Sequence, residues 1–177
     1  MEKLVPTAAD HGWLRSYAAL SRSGLVTRQL AACERQWDSR FYGNPAAIEA
    51  AQKAPGYDAY VQALRRDMRL PVRVYRVCRE SSYRRWRRRP LSTPLATTLS
   101  LPIAEAVWQL KKRPGFLLLQ VLLRDPRSVL MRGRLACCEL VIDLSRIEAR
   151  DVVPLKGPAA SAMATRNSLS DQRLSLP

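Results

Sequence analysis

The apolar positions of the chain change rhythm near Leu70. Before that point they recur at helical spacing, as on one face of a helix. Trp13, Leu14, Tyr17, Ala18 and Ser21 predict a first helix, and the stretch from Leu25 to Trp37 a second. Phe41-Tyr42-Gly43-Asn44-Pro45 breaks the pattern. Asn44 stands where an N-cap belongs and Pro45 at the first helical position, so a third helix is expected from there through Ala54. Pro55-Gly56 marks a turn. Asp58 is then expected to cap a helix carrying Tyr60, Val61, Leu64 and Met68 on its face.

After Leu70 the pattern alternates. In PVRVYRVC the positions Val72, Val74, Arg76 and Cys78 share one face of a strand. The hydroxyl-rich PLSTPLATTLS leads into a helix with Ser100 as its cap, Pro102 in its first turn, and Ile103, Ala104, Val107 and Leu110 on its face. Lys111, Lys112 and Arg113 suit the negative end of that helix, and Pro114-Gly115 stops it. Three further strands are expected: Phe116–Leu123, Ala136–Asp143, and a short one near Val152-Val153. From Lys156 the chain is small and polar without a period, which predicts a flexible tail. Helices followed by an antiparallel β region with one embedded helix predict an α+β fold. Its expected divisions are a helical N-terminal region (1–69), a β-rich core (70–157) and a C-terminal tail (158–177).

A chain of 177 residues that is 47% apolar is long enough for one globular domain with a proper core. The longest apolar run, FLLLQVLL, is too short to span a bilayer and predicts a buried strand, so no membrane span is expected. The start of the chain lacks the apolar stretch of a secretory signal. The four cysteines, Cys33, Cys78, Cys137 and Cys138, show no CxxC spacing. Both features predict a reducing, cytoplasmic setting.

The formal net charge is +15, from 30 basic and 15 acidic residues, which attracts polyanions. It is densest in YRRWRRRP, Tyr83 to Pro90, which predicts a charged loop. Three roles compete for it. It grips nucleic acid, with Trp86 stacking on a base and Arg84, Arg85, Arg87 and Arg88 on phosphates. It contacts a pyrophosphate or an acidic protein. It is a solvated charge run. The single histidine, His11, rules out the usual His-based zinc clusters and leaves a histidine-based triad only a residue in the first helix. No metal is expected. An enzyme of this composition works with carboxylates, hydroxyls and arginines.

Three polar features sit oddly in this pattern. Arg76 shares a strand face with small apolar residues. Thr97, Thr98 and Ser100 close the hydroxyl-rich segment. Glu139 lies within ACCELVID, where Cys137, Glu139, Val141 and Asp143 share a face. A carboxylate there has a partner, lines a cleft, or faces water on a half-exposed sheet. Taken singly, Arg76 reads equally well as a structural ion-pair residue, Ser100 as a cap and Thr98 as a strand-end hydroxyl.

Their order is more telling. VYRV (Val74 to Val77), then ATTLSLPIAEAVW, then CCELVID resembles the arginine–serine/threonine–glutamate class of mono-ADP-ribosyltransferases, over roughly Leu70 to Pro154. The resemblance implies a split β-sandwich with an embedded helix, and NAD as substrate without a metal. It implies Glu139 as the catalytic carboxylate, stabilising the oxocarbenium-like ribosyl cation as nicotinamide leaves. Thr98 would orient Glu139, with Ser100 or Thr97 as alternatives for the hydroxyl. Arg76, with Thr97, would hold the dinucleotide, the guanidinium on a phosphate or the adjacent ribose. Cys137 occupies the target-contact position two residues before the catalytic Glu, where arginine-modifying members carry Glu or Gln. That departure points away from arginine as the modified group and leaves other acceptors, or NAD hydrolysis, open. The expected protein is a bacterial or phage effector or toxin that transfers ADP-ribose to a protein or nucleic-acid acceptor. The competing expectation is a non-catalytic basic nucleic-acid-binding or virion-associated protein that acts through the Arg-rich stretch.

Overall fold

A computed structural model describes residues 19–38, 44–66, 68, 70–88, 94–111, 114–133 and 138–157. Residues 19–22 are helical. Three helices follow, each with its apolar residues on one stripe. In α1 (Arg28–Asp38) the stripe is Leu30, Cys33 and Trp37. Thr27 Oγ1 accepts from Leu30 N (3.3 Å), which caps this helix and starts it after the expected Leu25. In α2 (Pro45–Gln52) the stripe is Ala47, Ile48 and Ala51. Asn44 holds the extended N-cap position there, although its side chain makes no cap bond. In α3 (Tyr57–Arg66), Tyr57, Tyr60, Val61 and Leu64 are buried. Asp58 lies inside its first turn, where a carboxylate favours the helix dipole; it is not the expected cap.

The strands are β1 (Val72–Arg79), β2 (Pro94–Thr98), β3 (Phe116–Leu123), β4 (Val129–Arg132), β5 (Glu139–Asp143) and β6 (Val152–Lys156). Two helices interrupt them, α4 (Glu80–Arg88) and α5 (Leu101–Leu110). The loop expected at Tyr83–Pro90 is therefore corrected: through Arg88 it is helix. Tyr83 and Trp86, one turn apart, turn into the core with ring centroids 6.2 Å apart, which gives the charged segment a buried stripe. Glu80 in the first turn and arginines in the last suit the helix dipole, and Arg84 pairs with Glu80 at 2.6 Å. Arg89, Pro90, Cys137 and the tail from residue 158 lie outside the described residues.

The six strands form one antiparallel sheet in the order β4-β5-β2-β1-β3-β6. It has two well-paired halves. In one, β2 pairs with β5 from Pro94↔Asp143 to Thr98↔Glu139, and β5 pairs with β4. In the other, β1 pairs with β3 from Val72↔Leu123 to Arg79↔Phe116, and β3 pairs with β6. The halves meet at a seam where β1 and β2 share a single pair, Tyr75↔Thr98. This is one sheet divided by a seam, not the two stacked layers of the expected sandwich.

The helical layer packs into a core with Val74, Leu117, Leu119, Val121 and Leu123, which share one face of β1 and β3. On the other face, α5 covers Val77 and Leu118 through Ala104, flanked by Tyr75, Val107, Trp108 and Phe116. The edge strand β4 is held by polar contacts. Arg65 donates to the Val129 carbonyl (2.8 Å) and the Tyr57 hydroxyl to the Leu130 carbonyl (2.9 Å), occupying backbone groups that an edge strand otherwise leaves open. Arg132 is fully buried, and its guanidinium grips Glu34 of α1 at 2.6 and 3.2 Å. The Tyr60 hydroxyl donates to the same carboxylate (2.7 Å) and accepts from Arg132 N (3.1 Å). Burial first, then the Glu34 charge, raises the Tyr60 pKa well above its ordinary value, so that hydroxyl keeps its proton. Among the described residues no helix is long and apolar enough to cross a membrane.

Candidate functional site

Tyr75 pairs with Thr98, and Thr98 pairs with Glu139, so the three form one row across β1, β2 and β5. Residues directly opposite in a ladder project from the same face, with Cβ atoms about 5 Å apart. At ordinary strand spacing the row runs about 10 Å from Tyr75 to Glu139. It lies on the sheet face that α5 covers further along β1.

The register separates three hydroxyls that the sequence leaves as alternatives. Thr97 points to the opposite face, is buried, and donates to the Leu140 carbonyl (2.9 Å). Ser100 caps α5, its Oγ accepting from Ile103 N at 3.3 Å. Thr98 is the hydroxyl beside Glu139, and its Oγ1 accepts from Ser100 N (3.1 Å), tying the end of β2 to the start of α5.

Glu139 is half-buried at the start of β5. Cys138, with φ 47°, turns the chain into this strand through the left-handed region that few non-glycine residues adopt. The Glu139 carbonyl accepts from Gly133 N (2.9 Å). Its side chain lies over the Gly133 α-carbon: a Cβ at position 133 would stand 2.7 Å from Glu139 Cγ and Cδ and 2.8 Å from Oε2. Gly133 is thus the floor under the carboxylate, and what makes a glycine necessary is space. The sequence carries only a faint sign of this, a lone glycine in LMRGR after a short apolar run. Tyr75 carries no sign in the sequence, because its place in the row depends on a cross-strand register that no local pattern encodes.

Arg76, one residue beyond Tyr75, projects from the other face of β1. It is not in the row. Its Nη1 donates to the Ala96 carbonyl of β2 (2.9 Å), bridging the seam where the ladder stops. Cys78 shares its strand face, and burial pushes that thiol up to about 11 against the pull of the Arg76 cation. Lys111, at the end of α5, is lowered by burial and then by Arg76. Two cations therefore act on one another beside the seam.

The arginines of α4, Arg84, Arg85, Arg87 and Arg88, are exposed, whereas Trp86 retains 7% of its surface and its indole is not presented to a base. At the start of α4 a cavity of about 570 Å³ opens toward the turn before β3, lined by Arg79, Glu80, Arg84, Gly115 and Phe116 among others. No family model matches the chain, and no curated protein or solved structure matches it.

Proposed function

We propose that the protein cleaves NAD at the nicotinamide–ribose bond and transfers ADP-ribose to a macromolecular acceptor or to water, with Glu139 as the catalytic carboxylate. The observation that carries this reading is the direct pairing of Thr98 with Glu139, which sets a hydroxyl beside a carboxylate on one face of the sheet. The C1′–N bond breaks with its electron pair leaving on nicotinamide, and positive charge develops on the ribose. A carboxylate fixed beside that charge lowers the barrier without a general acid, because nicotinamide is already a good leaving group. The acceptor oxygen or nitrogen then bonds to C1′ and loses its proton. Thr98 orients Glu139. Arg76 lies on the opposite face of the sheet, where its bond to the Ala96 carbonyl ties β2, and with it Thr98, to β1; that makes it a positioning residue and leaves the pyrophosphate to groups on the Glu139 face. The reading is that of an ADP-ribosyltransferase, and it rests on the order of the motifs and the Thr98–Glu139 pair, not on the architecture of the sheet. Action on a cytosolic target as a bacterial or phage effector or toxin completes the proposal.

Glu139→Gln removes the charge and keeps the shape. Nicotinamide release should fall by about a hundredfold or more, with the melting temperature and NAD affinity unchanged. Unchanged release by a folded variant would overturn the assignment. Mass spectrometry of acceptors incubated with NAD, beside this variant, identifies the modified group.

A further inference from the structure

We infer that the outward face of α4, together with the cavity at its start, is a binding surface for single-stranded nucleic acid. Tyr83 and Trp86 fix which way the helix faces. With that stripe inward, Arg84, Arg85 and Arg88 point outward, because positions three and four apart share a helix side. Arg84 is paired with Glu80 (2.6 Å), and Arg87 lies 6.0 Å from the Tyr83 ring centroid. Among the described residues, Arg85 and Arg88 have no carboxylate at ion-pair distance. Like charges one turn apart on a rigid helix oppose folding. An outside anion relieves that repulsion.

The residue type favours phosphate. Each outward cation is an arginine, whose planar fork binds phosphate through two parallel hydrogen bonds. The cavity favours a single strand. It is a hollow of about 570 Å³, open to solvent, beside which an unstacked base can lie. Arg79 and Arg84 bring cations to it and Phe116 an apolar wall, with the Arg79 guanidinium 6.0 Å from the ring centroid. Glu80 is the carboxylate there, and it is held by Arg84. A backbone laid along Arg84, Arg85 and Arg88 would place its next base in this cavity, which a stacked duplex base cannot enter. Trp86 adds stability, not stacking.

The surface is independent of the chemistry at Glu139, and its test needs no NAD. Fluorescence anisotropy of a labelled single-stranded oligonucleotide, titrated at several salt concentrations, reads both affinity and salt slope. Arg85→Ala with Arg88→Ala should flatten the log–log slope by about 1.4, two contacts at about 0.7 each. Arg127→Ala with Arg150→Ala removes the same charge elsewhere and should leave affinity within about twofold. Three results would overturn the proposal: an equal loss in that control, equal binding of a duplex of the same length, or equal competition by polyglutamate. The first would assign binding to overall charge, the second would exclude the cavity, and the third would mean that the helix reads charge density and not phosphate.

Discussion

A methyl group at position 133 fits only if Glu139 moves. The atoms it would meet are the outer part of a flexible side chain, so Gly133→Ala can fold by swinging the carboxylate aside. Stability should change by only about 1 kcal/mol. Nicotinamide release should fall about tenfold or more, since displacing a catalytic group by about 1 Å can cost a hundredfold. Melting curves and turnover of the same preparation check this. Full activity in a destabilised variant would make Gly133 a packing residue and weaken the case for Glu139. At this scale the sequence was partly legible. Glu139 and Thr98 stood out as polar groups in strand patterns. What separates Thr98 from Thr97 is which face each takes opposite β5, and what requires a glycine at 133 is a side chain on another strand. Neither is written locally.

Among the elements, α1 to α3 and α5 were legible because each has an apolar stripe and a punctuating residue: Pro45 for α2, and Ser100 with Pro102 for α5. Three elements lay outside the pattern: α4, β4, and β2, whose hydroxyl-rich PLATT carries no apolar alternation. In α4 the stripe is only Tyr83 and Trp86, within a run of arginines. In β4 all four residues are buried, so the alternation that marks a half-exposed strand is missing. The burial of Trp86 has a direct consequence. Trp86→Ala should cost about 3–5 kcal/mol of folding stability, in line with large-to-small changes in a packed core. Chemical denaturation measures it. A variant of unchanged stability that binds oligonucleotide poorly would place the indole at the surface instead.

Across the molecule the seam is the sparsest junction in the sheet. β1 and β3 are paired at eight positions, β1 and β2 at one. Backbone amides facing the seam should therefore exchange with solvent through smaller openings than those between β1 and β3, and saturating NAD should slow them if the dinucleotide lodges there. Hydrogen exchange with and without NAD tests both points. Uniform protection across β1 would mean that the halves open as one unit. The α+β class was readable from helices preceding alternating strands, but the division was not, because it arises from pairings that stop. The two halves are also interleaved along the chain: one holds the second, fourth and fifth strands, the other the first, third and sixth. A cut in the turn after β3 would leave each fragment with two strands of one half and one of the other. Arg76 and Thr98 would travel on the first piece and Glu139 on the second. With the Thr98–Glu139 pair divided, the proposed NAD cleavage would require both fragments and return only on reassembly, which would suit this chain to conversion into a split reporter of molecular proximity.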